Sequence, residues 1–272
     1  MFHSIRFLRA QLMASELTEP GVQLMSDLAL NPFRTPLARA QSLQRACQMV
    51  CQMHGLTIRL AGNLPTEPAI YVSNHMGYVD PVAICSLTPC APIAKSEVAS
   101  WPCIGALARR MNVIFVQRGN TESATRALRL AMRRLEAGVS VLNFPEGTTT
   151  RGDMLQFRRG IFGLSALMKV PVVPLALSFD ELGLCWVDDD SLIGHYSTAL
   201  LGRSHFVDLQ AGPPMFIRPS ETPAEFASRV RSWILCARSA QGLRRPSPPT
   251  VKAPMPSRSW PHVAALADDS AA

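Results

Sequence analysis

From Leu56 onward the chain repeats one alternation: short apolar runs of strand length, each followed by a segment whose apolar residues recur at helical spacing. Parallel strands need a crossover of about a dozen residues or more, usually a helix, before the next strand can lie beside the first. The alternation therefore predicts an α/β fold, a mostly parallel sheet flanked by helices. Strands are expected at Leu56–Leu60, Ala69–Ser73, Pro92–Ala94, Val113–Val116, Ser140–Phe144, Val172–Ser178 and Phe206–Leu209. Helices are expected at Pro81–Leu87, Trp101–Met111, Glu122–Glu136, Gly160–Met168 and from Pro223 to about Ala240. No internal repeat interrupts the series, and 272 residues require no second core.

The flanks read differently. Residues 1–54 predict N-terminal amphipathic helices, one over 2–13 with Phe2, Ile5, Leu8 and Leu12 beside Arg6 and Arg9, the other from Pro36 to His54. The second repeats Leu37, Leu43, Cys47, Val50 and Cys51 and meets Gly55, a residue suited to the C′ position. Core packing explains its apolar face; residues 2–13, apolar with arginines, suit a membrane surface. The main domain is expected over 55–244 and a proline-rich disordered tail over 245–272.

No apolar run reaches the ~18–20 residues of a membrane span. The best candidate, 161–179, is broken by Lys169, Pro171 and Pro174. Met1 to Met13 scatters its arginines instead of placing a basic head before an apolar stretch, so no secretory signal is expected. These features predict a peripheral protein on the cytoplasmic face of a membrane. The net charge of +7 suits nucleic acid, anionic lipid or phosphorylated substrates. A nucleic-acid partner is not expected, because aromatic-rich strands and a basic recognition helix are missing from the pattern. Seven cysteines without a C-x-x-C pair fit buried thiols, and no metal is expected.

The chemistry concentrates in Val72-Ser73-Asn74-His75-Met76-Gly77-Tyr78-Val79-Asp80-Pro81, which falls at a strand-to-helix turn. On one continuous helix His75 and Asp80 would point about 140° apart. Placed in the turn and the first helical turn, they can meet, and a carboxylate on Nδ1 leaves Nε2 as a general base for a hydroxyl. A structural histidine beside an aspartate favoured by the helix dipole is the alternative. Four more blocks fall at strand ends, where open α/β sheets hold their ligands. They are Ile93-Ala94-Lys95, Ile114-Phe115-Val116-Gln117-Arg118-Gly119, Phe144-Pro145-Glu146-Gly147-Thr148 and Val170-Pro171-Val172-Val173-Pro174. Gly163-Leu164-Ser165 lacks the second glycine of a nucleophile elbow, which disfavours a serine hydrolase.

In this order and spacing the blocks resemble the glycerolipid acyltransferase superfamily typified by lysophosphatidate acyltransferases, from about residue 55 to residue 180. The resemblance implies transfer of a fatty acyl group from acyl-CoA or acyl carrier protein to the hydroxyl of a lysolipid, with no cofactor beyond the donor substrate. It makes His75 the base and Asp80 its orienting partner, with Arg118, Glu146, Gly147 and Thr148 at the acceptor site and Arg118 near Glu146. Asn74, Lys95, Pro145 and Pro174 would support them. The chain departs from the more usual Glu-Gly-Thr-Arg-Ser by carrying Thr149 and Thr150 after Thr148. Lys95-Ser96-Glu97-Val98, Trp101-Pro102-Cys103-Ile104-Gly105 and Trp186 to Leu192 with His195 resemble the lyso-ornithine lipid acyltransferase branch. A non-catalytic lipid-binding protein is the alternative of another class.

Overall fold

The computed structural model describes residues 35–101, 104–151, 153–180, 184–186, 200 and 204–243. The segment 2–13, His195 and the tail beyond 244 lie outside them. Thr35 opens helix α1 (Pro36–Met53): its hydroxyl accepts the Ala38 N–H, and Pro36 stands where a missing N–H costs nothing. His54 ends the helix, and Gly55 at φ +60° turns the chain into β1 (Leu56–Ala61).

The chain continues as β2 (Ile70–Ser73), α2 (Val79–Leu87), β3 (Cys90–Lys95), a 3₁₀ turn (Ser96–Ser100), α3 (Ile104–Arg110) and β4 (Ile114–Val116). Then come α4 (Thr121–Glu136), β5 (Ser140–Asn143), α5 (Gly160–Met168), β6 (Val172–Phe179), β7 (His205–Ala211) and α6 (Pro223–Leu243). The apolar stretch 161–179 is thus a helix, a turn through left-handed Lys169 and a central strand. Among the described residues no helix is long and apolar enough to cross a membrane.

The seven strands form one sheet in the order β1-β7-β6-β2-β5-β3-β4. From β6 to β4 every pairing is parallel, with Val72 opposite Asn143 on one side and Pro174 on the other. β7 runs antiparallel to β6 and carries β1 in parallel at the edge. All four residues of β2 are buried, as expected for a strand covered on both faces. One core lies mainly with α1 and α2 (Cys47, Val79, Ile84, Leu175), the other with α4, α5 and α6 (Ala131, Phe162, Phe226, Val230). Edge strand β1 buries little beyond Leu56; Arg59 there grips Asp208 of β7 through two bonds of 2.6 and 2.7 Å and lies over Phe206.

This order sets the site. Chain leaving β2 crosses to β3 on one side, while chain leaving neighbouring β5 crosses to β6 on the other, so a crevice opens between their carboxyl ends. The turns that follow β2 and β5 are those of His75 and Phe144–Thr148.

Candidate active site

β2 ends at Ser73, and Asn74 pins the exit. Its side-chain amide donates to the Leu177 carbonyl at 3.0 Å and its carbonyl accepts the Leu177 N–H at 2.9 Å, tying the turn to β6. Asp80, in the first turn of α2, then gathers the loop around one oxygen. Oδ2 accepts the Met76 N–H at 2.5 Å, the Gly77 N–H at 2.9 Å and His75 Nδ1 at 2.7 Å. An ionised carboxylate only accepts, so Nδ1 carries the proton and Nε2 is the basic nitrogen. The Asp80 side chain is wholly buried while that of His75 keeps 16% exposure, an orienting group beneath a reachable one. Phe144 stacks on the imidazole at 4.2 Å and 20°, fixing its plane.

Glu146 secures the same loop from β5. Oε1 accepts the His75 N–H at 2.9 Å, and Oε2 accepts the Leu155 N–H at 2.8 Å. Thr150 returns a bond from its N–H to the His75 carbonyl at 2.9 Å. Burial pushes the Glu146 carboxyl upward, opposed by those two N–H donors and by the charges of His75 and Arg238. Arg118 has other neighbours than the sequence suggested: partial burial lowers its pKa, Glu97 raises it and Arg158 lowers it. The structure thus spends both Glu146 oxygens on backbone N–H groups, those of His75 and Leu155.

A cavity of about 1180 Å³ opens at His75. Its exposed end carries Arg118, Gly147, Thr148 and Arg158, with Lys95, Pro145 and Trp186 also in its wall. Its inner end runs between α1, α2 and α3 past Leu43, Cys47, Val82, Cys85 and Met111. Such a volume exceeds the ~300–1,000 Å³ of ordinary small-molecule sites, and its shape joins a polar mouth to an apolar interior. Burial pushes the Cys51 thiol behind it up to about 11, and Cys85 is raised too by its Cys47 and Cys90 neighbours, so these thiols serve as small apolar groups. Among the described residues no group of three or more potential metal ligands is assembled.

Ser165 and Pro174 lie outside the lining of the cavity. Ser165 spends its hydroxyl on the Val170 carbonyl at 2.7 Å, and Pro174 is buried in β6 against Gly212, behind the site. Sequence reasoning missed Arg158 altogether and gave Trp186 no role. Trp186 donates its backbone N–H to the Met76 carbonyl at 2.8 Å; its ring meets Tyr78 and Trp101 edge-on and has Lys95 Nζ 5.2 Å from its centroid. Gly77 admits this contact, since a Cβ there would stand 3.1 Å from the Trp186 nitrogen. The arginine pair before α5, Arg158-Arg159, was the available signal for the first residue.

The model of the Acyltransferase family matches residues 55–178. A lyso-ornithine lipid O-acyltransferase of Pseudomonas aeruginosa is 33% identical over 196 residues, covering 69% of this chain and 74% of that protein. The chain belongs to the acyltransferase family. The human 1-acyl-sn-glycerol-3-phosphate acyltransferase alpha is 34% identical to this acyltransferase over 190 residues, 67% of this chain and 64% of that one. The crystal structure of the 1-acyl-sn-glycerophosphate acyltransferase PlsC from Thermotoga maritima shares the fold, with a TM-score of 0.64 at 21% identity over 89% of this chain and 97% of that one. The matched span of the acyltransferase runs from β1 through β6 and so contains both turns of the crevice.

Proposed function

We propose that this acyltransferase moves a fatty acyl group from a thioester, acyl-CoA or acyl carrier protein, to the hydroxyl of a lysolipid at a membrane surface. The observation that carries the reading is the 2.7 Å His75–Asp80 contact at the mouth of a large, mainly apolar cavity. His75 Nε2 takes the proton of the lysolipid hydroxyl as its oxygen attacks the thioester carbonyl, and buried Asp80 stabilises the imidazolium that forms. The C–S bond breaks, and the departing thiolate recovers the proton. A thiolate leaves readily, so the step asks chiefly for a base and for electrostatic support of the oxyanion, without a covalent nucleophile.

The apolar interior suits an acyl chain, each buried methylene of which contributes about 0.8 kcal/mol. The cationic mouth suits an anionic head group. A lyso-ornithine lipid is the first acceptor to offer, on the strength of relatives so named in Pseudomonas aeruginosa and Rhizobium meliloti. Arg118 favours 1-acylglycerol-3-phosphate as the second, because a planar guanidinium matches a phosphate through two parallel bonds. The test is thiol release from acyl-CoA and from acyl carrier protein, each with a panel of lysolipids and with mass detection of the diacyl product. Product formation with at least one acceptor is expected; thiol release without an acylated lipid would reduce the protein to a thioesterase and overturn the reading.

A further inference from the structure

We propose that Arg158 is a specificity-determining residue whose guanidinium, with that of Arg118, forms a cradle for the anionic group of the acceptor. The proposal rests on the lysolipid reading above and assigns a role to a residue outside the blocks that carry the resemblance.

Three observations support it. First, the backbone fixes Arg158 over the turn that follows β5, where its N–H donates to the Pro145 carbonyl at 2.9 Å. Its side chain lies against Gly147: a Cβ at that glycine would stand 2.8 Å from both Cζ and Nε and 3.0 Å from Nη2. Gly147 also sits at φ +75°, a conformation that disfavours side chains. Backbone and space thus agree in leaving this place to the guanidinium.

Second, no carboxylate among the described residues is bonded to either guanidinium. Among the described residues the Arg158 guanidinium has no hydrogen bond or ion pair, and neither has that of Arg118. The two stand in the wall of one cavity, where Arg158 lowers the Arg118 pKa and Glu97 raises it. Two guanidiniums facing one opening repel each other until an anion joins them, and both forks match a carboxylate or a phosphate. Third, both arginines line the cavity that His75 lines, so an anion held between them belongs to a molecule whose other end reaches the base. Thr149 stands in the same wall where the resembled Glu-Gly-Thr-Arg-Ser pattern has arginine. Arg158 restores a guanidinium to that turn from nine residues further along the chain.

The shared chemistry is an oxyanion, supplied by the phosphomonoester of lysophosphatidate or by the carboxylate of a lyso-ornithine lipid. The experiment compares parent, Arg158→Gln and Arg158→Lys with both lipids and with an uncharged monoacylglycerol, reading initial rates and, separately, equilibrium binding of each lipid. Arg158→Gln should raise KM and Kd for the charged acceptor by about ten- to a hundred-fold, the worth of a charge-assisted bond, with kcat nearly kept. Arg158→Lys should fall between, since it keeps the charge and loses the fork. The lipid whose KM and Kd rise identifies the anion, and monoacylglycerol should be unaffected. Thermal unfolding accompanies each variant; if the glutamine variant does not fold, the lysine variant decides. Unchanged KM and Kd for both charged lipids in a folded variant would overturn the cradle, and so would an equal loss with monoacylglycerol, which marks a structural role. Binding that depends on Arg158 in a parent that acylates neither lipid would sustain the cradle and sink the transfer reading instead.

Discussion

Replacing Glu146 with glutamine separates two roles that one residue could play at this site. As an acceptor contact, Glu146 would touch the lysolipid; as the structure has it, its two oxygens take the N–H groups of His75 and Leu155 at 2.9 and 2.8 Å. Glutamine keeps one oxygen and puts an amide NH₂ where the other stood, so a donor faces a backbone donor. The loss of one charge-assisted bond costs about 1.5–3 kcal/mol, offset in part by relief of a buried charge, for a net of about 1–2 kcal/mol. At roughly 2–4 °C per kcal/mol for a domain of this size, Tm should fall by about 2–8 °C. Because the His75 backbone is one of the two groups released, kcat should fall while the acceptor KM stays within about two-fold. Differential scanning fluorimetry and initial rates over a range of acceptor concentrations read both. A tenfold rise in acceptor KM with kcat and Tm unchanged would refute the positioning role and return Glu146 to the acceptor.

Three further outcomes follow from the same geometry. The gap in Tm between parent and Glu146→Gln should be widest at acid pH and narrow as pH rises: a carboxyl whose folded pKa is raised contributes stability below its unfolded pKa and loses it through the folded one, and a gap that widens with pH would contradict the burial argument. Asp80→Asn should keep an oxygen for the loop N–H groups yet lose the charge that supports the imidazolium, lowering kcat by about 10²–10⁴-fold with acceptor KM little changed; near-native turnover would count against an ionised orienting carboxylate. Leu43→Trp, in the cavity wall on α1, should shorten the longest acyl chain accepted, each excluded methylene costing about 0.8 kcal/mol, or roughly four-fold in kcat/KM, and an unchanged chain-length profile would place the acyl group elsewhere.

Much of the fold was legible because its signals are local. Buried runs such as Ile70–Ser73 and Val172–Phe179 announce strands, and of the apolar face that helical spacing marks on α4 (Ala124, Leu128, Ala131 and Leu135) the last two are buried and Leu128 half-buried, while Ala127 is buried in place of the exposed Ala124. The direction of β1 and β7 was not legible: each reads as a strand, but their orientation against β6 is settled by pairing between residues far apart in sequence, such as Leu177 with Leu209. Trp101–Met111 was expected as one helix, whereas Trp101 is extended after a 3₁₀ turn at Ser96–Ser100, its N–H bonded to the Val98 carbonyl, and α3 is described over Ile104–Arg110.

The site divides along the same line. His75 and Asp80 lie five residues apart, so turn chemistry alone brings them together at 2.7 Å. The resemblance put Glu146 at the acceptor site, and only the register of β2 beside β5 shows that its oxygen meets the His75 turn. Arg158 reaches Gly147 through the path of residues 153–157, which no periodic pattern specifies.

Everything proposed for this site depends on His75 acting as the base for acyl transfer to a lysolipid hydroxyl. Single-turnover transfer by His75→Ala, with the acyl donor and the acceptor that the parent uses and with folding checked by Tm, tests it most directly. If His75 is the base, diacyl product formation falls by at least about 10²-fold with donor binding retained. A folded His75→Ala protein that forms the diacyl product at the parent's rate would contradict it.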